Sequence, residues 1–299
     1  MSQVVSYSCR LVVVGLWLLM VGCATRVADV APPVALPEAF SVSGEGNLPE
    51  RWWRELNDPE LDALIERAFD ANLSLRAAWA RLEQAEAVLR RSGAALEPSL
   101  NLDLGFRRTW QRVGTEDDGF SSVETRRRSA GLAASYEIDL WGRIRSERNA
   151  AALGMLATRE DLRALAITLS AQIASLWYDL HETQGQLDLL AAQTDITSRT
   201  LQVITGRFER GRASATDVLQ QRQLLESRRG EMQRVRSRRD VIEHALAVLL
   251  GDPPSGAIFE TGAKLPELPP LPATGVPAYQ LNRRPDVRAA YLDVQAADQ

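Results

Sequence analysis

Residues 162–208 read LRALAITLSAQIASLWYDLHETQGQLDLLAAQTDITSRTLQVITGRF, and the spacing of their apolar positions decides the fold. Leu162, Ala166, Leu169, Ile173, Leu176, Leu180, Thr183, Leu187, Leu190, Thr194, Thr197, Leu201, Ile204 and Phe208 advance strictly by four and then three. That step is the heptad seam of a helix lying along another helix. Beyond Gly211-Arg212-Ala213-Ser214 a second seam runs through Val218, Gln221, Leu225, Arg228, Met232, Val235, Arg239, Ile242, Leu246 and Leu249, its polar members marking a looser, partly wet contact. The two arms predict a helical hairpin over 143–250. Starting near Ile144, the first arm has about 66 residues and is roughly 100 Å long. A polar-faced helix of that length has no core of its own and needs partners along its whole course.

Working outward toward the N-terminus, residues 57–97 read as a pair of helices. Asp58 is a good N-cap and Pro59 suits the first helical position. Leu61, Leu64, Ala68, Ala71, Leu75, Ala78, Leu82, Ala85 and Leu89 again step by three and four, with a break expected near Asn72. Pro98 stops the helical pattern and the period falls to two. Leu100, Leu102, Leu104 and Phe106 alternate with Asn101, Asp103, Gly105 and Arg107; Leu132, Ala134, Tyr136, Ile138 and Leu140 alternate with Ala133, Ser135, Glu137 and Asp139. These predict two strands of about ten residues within 98–142, joined by a polar loop from Arg108 to Ser129. One apolar face, one charged face and this length suit a membrane-spanning hairpin. In that reading Leu100, Leu102, Leu104, Phe106, Tyr136, Ile138 and Leu140 face lipid, while Asp103, Glu137 and Asp139 face a lumen or the neighbouring strand's polar side. A soluble, half-buried hairpin would alternate in the same way.

The ends of the chain bear on that choice. Residues 1–22 read as an export signal, with Arg10 ahead of an apolar run from Leu11 to Val21 that is too short to span a membrane. Met20-Val21-Gly22-Cys23 resembles the lipobox of bacterial lipoproteins, with Met20 where leucine is usual, and marks Cys23 for lipidation. Ala24 after the cysteine implies, by the same resemblance, delivery to the outer membrane. Residues 23–56 form a tether rich in proline and glycine at its start. At the other end, Gly251-Asp252-Pro253-Pro254 stops the second arm and 251–282 is a proline-rich connector. Residues 287–298 align without gaps on 75–86, so 283–299 read as the start of a second copy of the first segment. Pro285 falls opposite Leu73, and the second copy is expected to break off at Gln299, before its strands and long hairpin. A lipidation signal and long helices tip the hairpin toward membrane.

Trp52-Trp53 with Asp58-Pro59-Glu60-Leu61, Tyr136-Glu137-Ile138-Asp139-Leu140-Trp141-Gly142-Arg143, Arg210-Gly211-Arg212-Ala213-Ser214 with Asp217-Val218-Leu219, and Arg283-Arg284-Pro285-Asp286-Val287 occur in this order. Together they resemble the TolC-like outer-membrane efflux proteins, and within them the lipidated NodT-type branch. The resemblance implies a mainly α fold with a membrane β-hairpin: long antiparallel helical hairpins forming an α-barrel, outer-membrane β-barrel strands and a tandem structural repeat. It also implies a homotrimer in outer-membrane lipid that passes substrates from an inner-membrane efflux pump. A periplasmic adaptor protein would dock at the tip formed by Arg210, Gly211, Ala213 and Ser214. By this reading a product ending at Gln299 has too few strands to close a barrel and does not transport by itself.

Other functions find little support. The chain of 299 residues has a formal net charge of −4, and the arginines between Arg207 and Arg239 interleave with Glu209, Asp217, Glu226, Glu231 and Asp240. With almost no aromatics among them there is no stacking platform for bases, so no nucleic acid is expected. His181-Glu182 begins like a zinc-protease motif, but Gly185 stands where the second histidine is needed, and His244 is alone. No metal, cofactor or catalytic residue is therefore expected. Cys9 and Cys23 leave the folded body without a disulfide framework. The rival class is a coiled-coil envelope lipoprotein acting as a spacer, which explains Cys23 and the helices but not the two amphipathic strands.

Overall fold

The computed structural model describes residues 49–114, 120–255 and 277–299 and the single positions 259, 262, 269 and 270. The expected signal, Cys23, and most of the tether and connector lie outside the described residues. The elements below belong to the compact unit Glu38–Ala297.

A short 3-10 turn, Trp52–Leu56, leads into α1 (Pro59–Ala71) and α2 (Leu73–Ala94). Asp58 starts α1 by accepting the N–H groups of Glu60 and Leu61, two of the donors that a helix leaves free at its first turn. Asn72 ends α1 by turning its ψ to 124° and starts α2 by accepting the N–H of Leu75. The expected break is therefore one residue wide. The antiparallel pair β1 (Ser99–Gly114) and β2 (Phe120–Ser135) follows. The long arm is α3 (Arg143–Glu209), 67 residues without interruption, or about 100 Å of rise. It turns into α4 (Ala215–Leu249). The short α5 (Pro277–Arg283) and α6 (Pro285–Ala297) complete the described residues.

Helix α3 is the spine, with α2, α4 and α6 all packed along it. Its expected seam is the buried one: Leu162, Leu169, Ile173, Leu180, Thr183, Leu190 and Thr197 are buried, and the remaining members up to Ile204 are half-buried. Across from it Val218, Leu225, Ile242 and Leu246 are buried, with Arg228, Met232, Val235 and Arg239 half-buried between them. Phe208 departs from the pattern at 44% exposed. Gln221 donates to the Thr197 carbonyl and Arg239 to Gln184, a pairing that puts position 208 opposite the turn, where no helix remains to cover it. One core gathers Trp53, Leu61, Ile65, Leu75, Leu82, Ile173, Trp177, Ile242 and Leu246. Burying each aliphatic side chain contributes about 1.5–3 kcal/mol.

Helices α2 and α4 meet end to end on α3 at a closely fitted joint. The Asn72 amide, 5% exposed, donates to the Leu249 carbonyl at 2.8 Å, and Arg67 reaches Asp252 at 2.6 Å. Helix α4 ends at Gly251, φ +81°, whose missing side chain makes room for Ala71: a Cβ there would lie 2.5 Å from the Ala71 carbonyl oxygen. Their 22 and 35 residues sum to about 86 Å of rise, close to the length of the spine they share.

The repeat is visible too. Helix α6 begins at Pro285, the position aligned with Leu73 at the start of α2. The two copies seat different faces on α3. Leu75 and Leu82 are buried, whereas their counterparts Val287 and Val294 are 39% and 65% exposed, and Ala289 is buried instead. Arg288 of α6 pairs with Glu160 of α3 at 3.5 Å, and Arg163 holds the same carboxylate at 2.7 Å.

Candidate functional site

The strands correct the sequence reading in length and position. Each has 16 residues rather than about ten, and the stretch expected as a loop from Arg108 onward is mostly paired strand. In the register Leu100↔Ala134, Leu102↔Leu132, Leu104↔Ala130, Phe106↔Arg128, Arg108↔Arg126 and Trp110↔Glu124, directly opposed residues share a face. One face therefore carries Leu100, Leu102, Leu104, Phe106 and Leu132 over its first half, each between 65% and 74% exposed. Arginines and Trp110 follow over its second half. The other face carries Asn101, Asp103, Gly105, Arg107 and Thr109. No described element covers the leucine face.

Tyr136, Ile138 and Leu140 do not belong to that face, because β2 ends at Ser135. The register would pair Tyr136 with Pro98, which has no N–H to donate, so the ladder stops there. The three side chains remain 58–75% exposed in an extended exit segment beside Trp141. Glu137 and Asp139 are likewise not strand residues facing a lumen. Glu137 pairs with Arg143 at 2.8 Å, and Asp139 accepts the N–H groups of Ile144 and Arg145, holding the first turn of α3. Gly142 at φ +79° lets the chain swing from strand to helix. The motif Glu137-Ile138-Asp139-Leu140-Trp141-Gly142-Arg143 is thus the coupling between hairpin and spine.

The middle of the spine is held by an aromatic clamp. The second carboxylate oxygen of Asp58 accepts from Trp177 Nε1 at 2.9 Å and from the Tyr178 hydroxyl at 3.4 Å, tying the start of α1 to the middle of α3. Trp52 donates to Ser170 Oγ at 3.2 Å, and buried Trp53 stacks edge-on against Phe69. Burial, and then the Asp58 carboxylate, push the Tyr178 phenol up to about 12. The sequence marked Trp52, Trp53 and Asp58 but not their partners, which for Trp52 and Asp58 lie more than a hundred residues away. His181 is a packed residue: it lies edge-on to Trp177 and its Nδ1 is 2.7 Å from the Gly262 carbonyl oxygen. Among the described residues no cluster of histidine, cysteine or carboxylates could hold a metal, and no helix is long and apolar enough to cross a membrane.

At the far end of the hairpin, Gly211 at φ +69° closes α3. Its N–H donates to the Phe208 carbonyl and the Arg212 N–H to the Arg207 carbonyl, both at 2.8 Å. Ser214 caps α4 in a reciprocal box: its hydroxyl accepts the Asp217 N–H while the Asp217 carboxylate accepts the Ser214 N–H. Those hydrogen bonds hold the Asp217 carboxyl below the usual carboxylate range. Arg210, Gly211 and Ser214 are exposed and Ala213 half-buried, so the tip is a rigid turn that presents its backbone outward.

Residues 64–252 match the family model of the outer membrane efflux proteins. The pyoverdine export outer membrane protein OpmQ of Pseudomonas putida is 30% identical over 287 residues, covering 94% of this chain and 61% of the relative. The toluene efflux pump outer membrane protein TtgF of the same species is 33% identical over 259 residues, covering 83% and 51%. The solved outer-membrane channel OprN superposes with a TM-score of 0.75 at 24% identity, covering 91% of this chain and 62% of that one. A membrane protein from Pseudomonas aeruginosa superposes at 0.72 with 28% identity, covering 92% and 62%. The chain thus spans between about half and three-fifths of the length of these relatives.

Proposed function

Because the chain belongs to the outer membrane efflux protein family, we propose that it supplies the outer-membrane channel of a tripartite export system. The observation that carries this reading is one continuous arrangement. A two-stranded hairpin with an uncovered leucine face is coupled through Asp139 to a helix of 67 residues. A lone pair of strands in lipid leaves two unpaired edges, each polar group costing several kcal/mol, so the hairpin needs neighbouring strands to close a barrel. Neighbouring subunits of a homotrimer would set further strands beside its edges, and the helical hairpins then line a tunnel toward an inner-membrane pump. The heat-modifiable oligomer should give stepwise conductance in a planar bilayer. A helical rod without conductance would turn the reading to an envelope spacer.

Two finer assignments accompany this one. The tip at Arg210, Gly211, Ala213 and Ser214 docks a periplasmic adaptor, supported by its rigid caps and by its place at the far end of the spine from the strands. Ala213→Trp should abolish export while leaving oligomer and membrane delivery intact; unchanged adaptor cross-linking would reduce the tip to a turn. Cys23 carries lipid at the mature N-terminus, on the evidence of the Gly22-Cys23 motif. Mass spectrometry finding an unmodified cysteine there would remove that assignment.

A further inference from the structure

Among the described residues, one face of the outer half of the strand pair carries more arginine than carboxylate. On the leucine-bearing face, Arg108 stands directly opposite Arg126, Arg128 lies one pair nearer the leucines opposite Phe106, and Arg112 lies two pairs beyond Arg108. Like charges directly opposed across strands are destabilising. Among the described residues Glu124 is the acidic residue on this half-face, and both Arg108 and Arg126 draw on the same carboxylate oxygen. Four guanidinium groups against one carboxylate leave the described part of this half-face with a net charge of +3. Arg112 and Arg128 are exposed on the same surface.

The position of this patch selects its partner. It continues the face that carries Leu100, Leu102 and Leu104, so it points where those side chains point, away from any barrel interior. Eight residues from Leu100 to Arg108 span about 27 Å of strand, or about 21 Å of depth at the usual tilt of roughly 40°. That is close to the height of an outward apolar band, and Trp110, with Arg108 stacked 4.5 Å over its ring, sits where an interfacial aromatic belongs. Guanidinium groups at that level meet phosphorylated headgroups, which they bind through paired N–H donors.

Resting on the membrane reading above, we propose that the outward arginines of β1 and β2 form a binding surface for the phosphate groups of an anionic lipid headgroup at the outer edge of the bilayer. The test is flotation of the full chain with vesicles of phosphatidylcholine alone, with bisphosphorylated lipid A, and with lipid A stripped of its phosphates. Capture should rise on the order of tenfold with the phosphorylated lipid and fall back at high salt. Arg112→Gln, Arg126→Gln and Arg128→Gln together should erase that increment, whereas Arg107→Gln with Arg127→Gln, on the opposite face, should keep it. An increment surviving the outward triple variant, equal capture by the stripped lipid, or full competition by free pyrophosphate overturns the proposal. Failure to float with any vesicle overturns the membrane reading itself, while flotation indifferent to lipid A removes only this inference.

Discussion

Asn72 does three things with one side chain: it closes α1, opens α2 and ties both to the end of α4. Asn72→Ala removes a cap worth about 1 kcal/mol and strips the Leu249 carbonyl of its buried donor at about 1–3 kcal/mol. A loss of about 2–3 kcal/mol in urea unfolding is expected. Asn72→Asp keeps the cap but sets a carboxylate against the carbonyl, and should recover none of the second part. Gly251→Ala, forced into a left-handed conformation against the Ala71 backbone, should cost at least about 2 kcal/mol by the same measurement. Tyr178 gives a pH signature. Its phenol is raised from 10 to about 12, so the folded chain retains a proton that the unfolded chain releases. The resulting stability is complete below about pH 10 and is lost as pH rises through about 12. Thermal melts across that window should show Tyr178→Phe declining less steeply than the parent.

At the scale of elements, the hairpin discriminates between its faces. Leu104→Arg places charge on the leucine face, at a cost of about 2–4 kcal/mol in mid-bilayer, and should block insertion in the full reading frame. Asp103→Arg, on the other face, should insert; equal tolerance would show that the leucine face meets no lipid. The same strands show where sequence reading runs out. Their inner halves were legible because leucine alternates with polar residues. Their outer halves were not, because from Arg107 onward both faces are mainly polar, with Trp110 and Val123 on opposite faces, so a period of two leaves no contrast, although the backbone pairing continues. Conversely, Tyr136, Ile138 and Leu140 alternate like a strand yet have no partner beyond Pro98. The spine was legible over nearly its whole seam because a period near 3.5 repeats for more than forty residues. The Asp58–Trp177 and Asn72–Leu249 bonds were hidden, since each residue is unremarkable locally and its partner is set only by the fold.

For the whole molecule, the spine has a second stripe that the described residues leave open. Leu189, Ile196 and Val203 stand seven residues apart and are 55–64% exposed, offset from the seam against α4. In the proposed homotrimer these positions would be the ones to meet a neighbouring helix. Ile196→Glu should thus weaken the oligomer on heat-modifiability gels while leaving the helical content of the chain unchanged; an unaltered oligomer would place the subunit contact elsewhere. The uninterrupted seam of α3 also has a consequence for how such proteins diverge in size. Because each contact recurs every seven residues, the hairpin can lengthen or shorten only in whole heptads added to both arms at once, each step moving the tip by about 10.5 Å. Seven residues inserted after Thr194 and again between Gln223 and Leu224 should preserve both seams, whereas five in each place should turn every later seam residue about 140° away from its partner helix. The α3–α4 hairpin is in that sense a graduated ruler, and the depth of the compartment it crosses is a length that evolution can match only in discrete marks.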